Sequence, residues 1–471
     1  MPAAEPLTWS LTEAARALRE RRISSRELTQ AVIARAKQVD ARLNCLVRVD
    51  EESALGEAEH CDEELAAGRI RGPLHGVPLA HKDMFYRAGQ VSTCGSRIRK
   101  DAIAEATATA LVRLDRAGAI QFATLHMAEF AFGPTGHNYH IGHCRNAWNP
   151  DYITGGSSSG SATSVAARAN FAALGSDTGG SIRLPAGFCG ITGIKPTYGR
   201  VSRFGAMPLS YSLDTVGPLA RTVADCAAML QACAGADPAD PTSSDAAVPD
   251  YAAALAQPVA GLRIGLPKRY FYENLDPQVE ASMRESLRQF ASLGARIVEV
   301  ELPDLDALNA SAIMVLAAEA ASIHRPWLAR RASDYSDQVR SRLEQGLAIP
   351  ATQYIDALRA RAVALAEFNA AVFSRADVLH APVLSSTTPT IAETDLGGTP
   401  ALNKMLGHVT RMVRPFNYLG LPVLALPCGF SANGLPIGMQ LAGRAFDETT
   451  LFALGHAYQQ ATDWHRRLPA I

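Results

Sequence analysis

Two Gly-Gly-Ser groups frame one stretch of the chain, Gly155–Gly190, GGSSSGSATSVAARANFAALGSDTGGSIRLPAGFCG. The first group opens a helical pattern, and the second follows the apolar run Phe171–Leu174 after only a few residues. A Gly/Ser stretch is ordinarily a flexible loop, which would account for one group and leave the second unexplained. Glycines just beyond a buried strand let the backbone turn tightly and aim successive N–H groups into one concavity, an anion-binding nest. A serine closing such a nest, as Ser181 does, lies beside a ready oxyanion hole. An ordinary turn is the competing reading of the same residues.

Other chemistries compete for this segment. Gly156-Ser157-Ser158-Ser159-Gly160 matches the G-x-S-x-G elbow, which would make Ser158 the nucleophile of an α/β-hydrolase. That reading needs an acid and a downstream histidine, for which His324, His380, His408, His456 and His465 are available. No G-x-x-x-x-G-K-[ST] pattern supports phosphate binding by a P-loop. His137, His140 and His143 with Cys144 suggest a metal site, but their spacing of three suits a strand poorly and no H-E-x-x-H accompanies them. They read as loop and core histidines.

A serine nucleophile needs a base. None of the six lysines has a serine three positions before it, which removes the S-x-x-K arrangement. The other 39 of the 45 basic residues are arginine, which keeps its proton in proteins, whereas a buried lysine can lose it. Lys82, just behind the apolar run Val77–Ala80, is the candidate base. An ion pair with Asp83 or a distant carboxylate is the competing reading.

Along the chain, Ser10/Glu13 and Ser24/Glu27 have capping-box spacing and predict helix starts. Strands are expected at Leu46–Val49, Val77–Ala80 and Ile120–Leu125, with helices at Glu51–Leu65 and Ala104–Ala117 between them. Beyond the Pro/Asp/Ser-rich stretch 237–250, strands are expected at Leu262–Leu266, Ala295–Val300, Val378–Ala381, Val423–Leu426 and Ile437–Leu441. A helix is expected from Pro277 to Leu293, and Ala312–Arg375 reads as mostly helical. Such alternation predicts an α/β fold with a sheet covered by helices on both faces, the runner-up being two domains split near residue 245. The net charge of −1, with no basic stripe, argues against nucleic acid. No secretory leader is read in Met1–Ser10, and the best membrane candidate, Ala162–Leu174, contains Arg168 and Asn170. Eight scattered cysteines without a C-x-x-C pair fit reduced thiols and a cytoplasmic location.

Three motifs in order, GPLHGVPLAHKD (72–83), GGSSSGSA (155–162) and GSDTGGSIRLPAGFCG (175–190), resemble the amidase signature family. GIKPTYGRVSRFG (193–205), SLDTVGPLARTVAD (212–225), DVLHAPV (377–383) and RPFNYLGLPVLALPCGF (414–430) extend the likeness over nearly the whole chain. The resemblance implies one amidase domain over 1–471, a large mixed β-sheet core with helices on both faces. Its signature core would span 72–225, and a variable, mostly helical pocket region 312–375. It implies a catalytic set of Lys82, Ser157 in a cis peptide bond, and the nucleophile Ser181, without metal or cofactor. The oxyanion hole falls on the N–H groups of Thr178, Gly179, Gly180 and Ser181, with Ser158 and Asp177 in support. Arg183 serves either the pocket or a structural carboxylate. One departure is SSSG where many members have SSGG, so that Ser159 replaces a glycine.

The activity this implies is hydrolysis of a carbon–nitrogen acyl bond in an amide or aryl amide, extending to carbamates or esters. The alternative within the family is the amide-cleaving component of a tRNA-dependent amidotransferase, although residues 401–430 read more like the free-standing hydrolases. The partner expected is therefore a small-molecule amide or carbamate, with no nucleic acid, no membrane and room for a homodimer. Ile313–Leu316 with Met405, Leu406, Val409 and Met412 predict a neutral, apolar pocket, unless these side chains belong to the core.

Overall fold

The computed structural model describes residues 5–471; residues 1–4, the start of the segment read for a leader, lie outside the described residues. Both capping boxes form. Ser10 and Ser24 each accept from the backbone N–H of the glutamate three residues on, and Glu13 and Glu27 accept in return from the two cap N–H groups. These reciprocal bonds satisfy donors that a helix start leaves without partners.

Among the described residues, eleven strands make one mixed sheet: β1 (Leu46–Val49), β2 (Pro78–Lys82), β3 (Ile120–Leu125), β4 (Ala172–Asp177), β5 (Thr192–Lys195), β6 (Thr215–Ala220), β7 (Arg263–Pro267), β8 (Arg296–Val300), β9 (Val378–Pro382), β10 (Val423–Phe430) and β11 (Pro436–Gly443). Their order across the sheet is β1-β3-β2-β4-β6-β5-β10-β11-β9-β7-β8. The β2/β3, β2/β4, β7/β8 and β7/β9 pairs are parallel and the rest antiparallel. The six strands before residue 245 lie together on one side of the sheet and the five after it on the other, and the β5/β10 pair joins the two sets into one continuous sheet. The 237–250 stretch is tied down, with Asp237 accepting from Ser202 Oγ (2.5 Å) and Asp240 from the Arg203 N–H (2.8 Å).

Three local expectations are corrected. The helix expected at Ala104–Ala117 starts only at Thr109, because the N–H groups of Ala104 and Ala108 bond the carbonyls of Gln90 and Tyr86. β5 and β6 were not legible as strands, since Gly193, Gly217 and Pro218 weaken their pattern. The glycines are there for close approach: a Cβ on Gly217 would meet the Ile194 carbonyl at 2.2 Å, and one on Gly193 the Ile182 side chain at 2.9 Å. Among the described residues, the one helix long and apolar enough to cross a membrane is Leu305–Asp334, not Ala162–Leu174. Half of its apolar window is buried, and its Leu305–Arg331 portion packs on Asp337–Leu347, Ala351–Phe368 and Pro415–Leu419.

The topology prepares a site at one sheet edge. β2 and β4 are parallel neighbours, paired at Ala80/Ala173 and His81/Leu174. Their C-terminal ends therefore meet, Lys82 closing β2 and Asp177 closing β4. The buried helix Ser159–Ala166 packs on both strands and presents the residues before it to the same edge.

Candidate active site

Lys82 is wholly buried and its Nζ has three hydroxyl neighbours: Ser157 Oγ at 2.7 Å, Ser176 Oγ at 2.9 Å and Ser158 Oγ at 3.2 Å. Ser176 Oγ gives its own proton to Met84 Sδ, and Ser158 Oγ to the Ser176 carbonyl, so both accept from Lys82. Ser157 Oγ has no further hydrogen-bond partner among the described residues. A neutral amine has two N–H donors and one lone pair. With the donors spent on Ser158 and Ser176, the lone pair is left for the Ser157 proton. Burial supplies the neutral form, pushing the Lys82 pKa down to about 7 against the opposing charges of Asp214, Asp177 and Cys94. The Gly156–Ser157 peptide bond is cis.

The loop after β4 carries the second group. Ser181 is 7% exposed, and its Oγ makes no hydrogen bond among the described residues, so its link to Ser157 is open. Catalytic hydrogen bonds often tighten only when substrate arrives. The expected role of the Gly180 N–H is corrected: it donates to Asp177 Oδ1 at 2.7 Å, while the N–H groups of Thr178, Gly179 and Ser181 have no acceptor among the described residues. Gly180 has φ +114°, and a Cβ there would lie 2.4 Å from Val413, so the turn needs glycine. Thr178 is fixed from below by its Oγ1 bond to Asp214 (2.5 Å).

Arg183 belongs to the structural carboxylate and not to the pocket. Its guanidinium holds Asp177 with bonds of 3.0 and 3.1 Å, and Asp177 also accepts from Asn417 Nδ2 at 2.8 Å. Burial would raise the Asp177 pKa, but Arg183, Lys195 and Asn417 hold it well below the usual carboxylate range. The resulting fixed carboxylate accepts the Gly180 and Ile182 N–H groups and so sets the shape of the loop.

Ser158 is fully buried between Lys82 and Ser176, with no histidine in its hydrogen-bond set, which disfavours the elbow reading. Ser159 bonds His126 Nδ1 at 2.9 Å, while His126 Nε2 faces the Gly142 carbonyl at 2.8 Å. The extra hydroxyl therefore fastens the helix start to the 126–142 loop. His140 pairs with Glu129, His137 with Thr394 and His143 with Asp395. The closest ligand-type group among the described residues is instead Cys61–Glu64–His75, where Glu64 already pairs with Arg71 and His75 Nε2 with the Cys61 carbonyl. Exhaustive chelation is expected to leave amide turnover unchanged; loss restored by added zinc would contradict this.

The sequence reading missed two arginines. Arg414 is 5% exposed, and its side chain reaches 3.7 Å from where a Cβ of Gly179 would stand. It donates to Asn309 Oδ1 (3.2 Å) and Thr410 Oγ1, its Nε has no partner, and no carboxylate pairs with it. Burial lowers its pKa to about 10. Arg342 stacks 3.5 Å over Phe132 and donates to the Phe132 carbonyl; burial and then the Arg414 charge lower its pKa to about 9. The excess of arginine over lysine was the signal available, but nothing in the sequence brings residues 342 and 414 together. The expected apolar lining is corrected as well. Val315, Leu316, Val409 and Met412 belong to the core, Leu406 is buried, Met314 and Met405 pack against the core, and Ile313 is 46% exposed.

The Amidase family profile matches residues 27–452. The chain is 40% identical over 478 residues to the A-subunit of the glutamyl-tRNA(Gln) amidotransferase of Geobacter metallireducens, covering 96% of this chain and 97% of that protein. Among solved structures, it superposes with TM-score 0.90 and 33% identity on one described as a vestigial protein complex revealing the evolutionary origins of an s-triazine catabolic enzyme, covering 96% of this chain and 98% of that one. It superposes with TM-score 0.86 and 31% identity on a peptide amidase bound to the competitive inhibitor chymostatin, covering 98% and 99%. The expectation of a small-molecule amide partner with no nucleic acid is corrected by the first of these relatives, which is named for a tRNA and as one component of a larger enzyme. That expectation leaned on a net charge of −1, which is a sum and says nothing of local clusters. Profile, relatives and fold agree that the chain belongs to the amidase family, the amidase-signature enzymes.

Proposed function

We propose that the chain is the amide-cleaving component of a tRNA-dependent amidotransferase, with Lys82, Ser157 and Ser181 as its catalytic set. Neutral Lys82 takes the Ser157 proton while Ser157 takes that of Ser181, and the Ser181 oxygen adds to the amide carbonyl. The oxyanion that forms is met by the N–H groups of Thr178, Gly179 and Ser181. Collapse breaks the carbon–nitrogen bond as Ser157 returns a proton to the nitrogen, which leaves as ammonia. Water, deprotonated through the same relay, then frees the acyl group from Ser181.

The observation that carries this reading is the 2.7 Å contact between a buried Lys82 and a Ser157 hydroxyl with no other partner. The amidotransferase assignment is supported by 40% identity spread over 96% of the chain and not confined to its signature segment. Arg414 and Arg342, buried or half-buried without a carboxylate partner, favour an amide donor that carries a carboxylate, such as glutamine, over the apolar amides first expected. Arg414→Ala is expected to raise KM for glutamine about tenfold or more, the effect of losing a charge-assisted hydrogen bond of about 1.5–3 kcal/mol, with a smaller change in kcat. Ammonia release from glutamine, measured on the chain alone and with its partner proteins and glutamyl-tRNA, tests the function. Turnover that rises with the partners supports it. Rapid cleavage of a neutral anilide with none of glutamine overturns it.

A second reading, a catabolic amidase acting on a small amide in its own right, draws on the TM-score of 0.90 with the vestigial protein complex linked to the origins of an s-triazine catabolic enzyme. Full activity of the isolated chain, unchanged by partners or tRNA, would select it.

A further inference from the structure

A cavity of about 720 Å³ lies outside the catalytic residues, between the helix Leu11–Arg19, the start of the helix Val223–Cys233, the helix Glu448–Ala461 and the C-terminal residues 465–468. Arg16, Arg19, Arg168, Arg221 and Arg466 line it. None of the five makes an ion pair with a carboxylate among the described residues. Glu13 is the one acidic residue in the lining, and its carboxylate caps the Ser10 N–H. Asp225 lies close by but is engaged by Thr12 and by the Thr222 cap.

Three buried polar atoms without partners lie in this lining. Arg221 is 3% exposed, and its guanidinium reaches only the carbonyls of Leu7, Trp9 and Asn170, leaving Nε without a partner. Arg168 Nε and His465 Nδ1, also in the lining, are likewise buried and unpaired. Burial with the charges of Arg466 and Arg168 pushes the His465 pKa down to about 4, so the ring adds no charge at neutral pH. Arg168 itself has φ +59°, a left-handed backbone position where glycine or asparagine is usual. A side chain kept there despite the backbone preference points to a use for its guanidinium.

We propose that this cavity binds a small di- or triphosphate. Arg16, Arg19, Arg168 and Arg466 bring to one cavity guanidinium groups whose forked N–H pairs match phosphate oxygens, and the buried Arg221, its terminal nitrogens held by backbone carbonyls, adds a further positive charge and an unpartnered Nε. The volume lies within the roughly 300–1,000 Å³ usual for small-ligand sites. Arg168 stands just beyond the helix Ser159–Ala166, at the opposite end from Ser157, so the site shares none of the catalytic groups.

Titration calorimetry and thermal denaturation of the full chain with pyrophosphate and with ATP, at low salt, test this. Saturable binding with a rise in Tm is expected. Arg168→Gly should weaken binding at least tenfold while keeping or raising the unliganded Tm, because glycine suits the backbone there; Arg19→Ala, on an exposed residue, should weaken it without unfolding. Ammonia release should be unchanged in both. No heat and no Tm shift at millimolar ligand, or equal binding by parent and variants, overturns the proposal. Binding of a short single-stranded RNA with none of pyrophosphate or ATP also overturns it, and assigns the arginines to a nucleic-acid backbone.

Discussion

Ser181→Ala is expected to abolish amide turnover and the acyl-enzyme together, because the atom that forms the ester is gone. Ser157→Ala keeps that atom but cuts the path to Lys82, and should lower kcat by roughly 10²–10⁴-fold, the usual weight of general acid–base catalysis. Ser158→Ala should cost far less, since Ser158 gives Lys82 one contact of 3.2 Å while Ser176 keeps another at 2.9 Å. The two losses at Lys82 and Ser157 should not add, because both remove one proton path. Mass spectrometry of the protein trapped with a slow amide or ester reads the acyl adduct directly. An inactive Ser158→Ala beside a nearly normal Ser157→Ala would overturn the relay in favour of the elbow serine.

The rate should climb as pH rises through about 7 and then level off. Burial brings the Lys82 pKa to about 7, and the base is competent only when neutral. One unit below that pKa about a tenth of the amine is neutral, so kcat/KM near pH 6 should be about a tenth of its plateau. The sign is fixed by the group: a base that must lose a proton gains activity with pH. Asp214 and Asp177 favour the charged form, so Asp214→Asn should move the inflection to lower pH even if kcat falls through the loss of the Thr178 contact. Lys82→Arg should be inactive, since guanidinium does not deprotonate. Activity falling steadily above about pH 6, or an active Lys82→Arg, would contradict a neutral lysine.

Local features were legible because their causes are local. β1 and β3 have the bounds their apolar runs predict, and both serine capping boxes form, since each needs residues only three apart. Lys82 and Ser157, which the fold brings to 2.7 Å of each other, both lie in motifs that the sequence alone displays. The strands β5 and β6 were not legible in this way, because their glycines answer to neighbours such as the Ile194 carbonyl, which no window of sequence contains.

What the sequence by itself determined is therefore which groups are present and in what local frame: a serine at the end of each Gly-Gly turn, and a scarce lysine closing an apolar strand. What only the tertiary structure decided is what those groups can do. The Lys82 pKa falls to about 7 because the fold buries the amine, and its contacts there are hydroxyls from residues 75, 76 and 94 positions away. The Gly180 N–H is withdrawn from the nest because Asp177, steadied by Arg183 and Asn417, takes it first. Arg414 comes to stand beside Gly179, and five other arginines from distant segments share one cavity. Charge state and hydrogen-bond partnership depend on burial and on distance through space, and the folded sheet sets both.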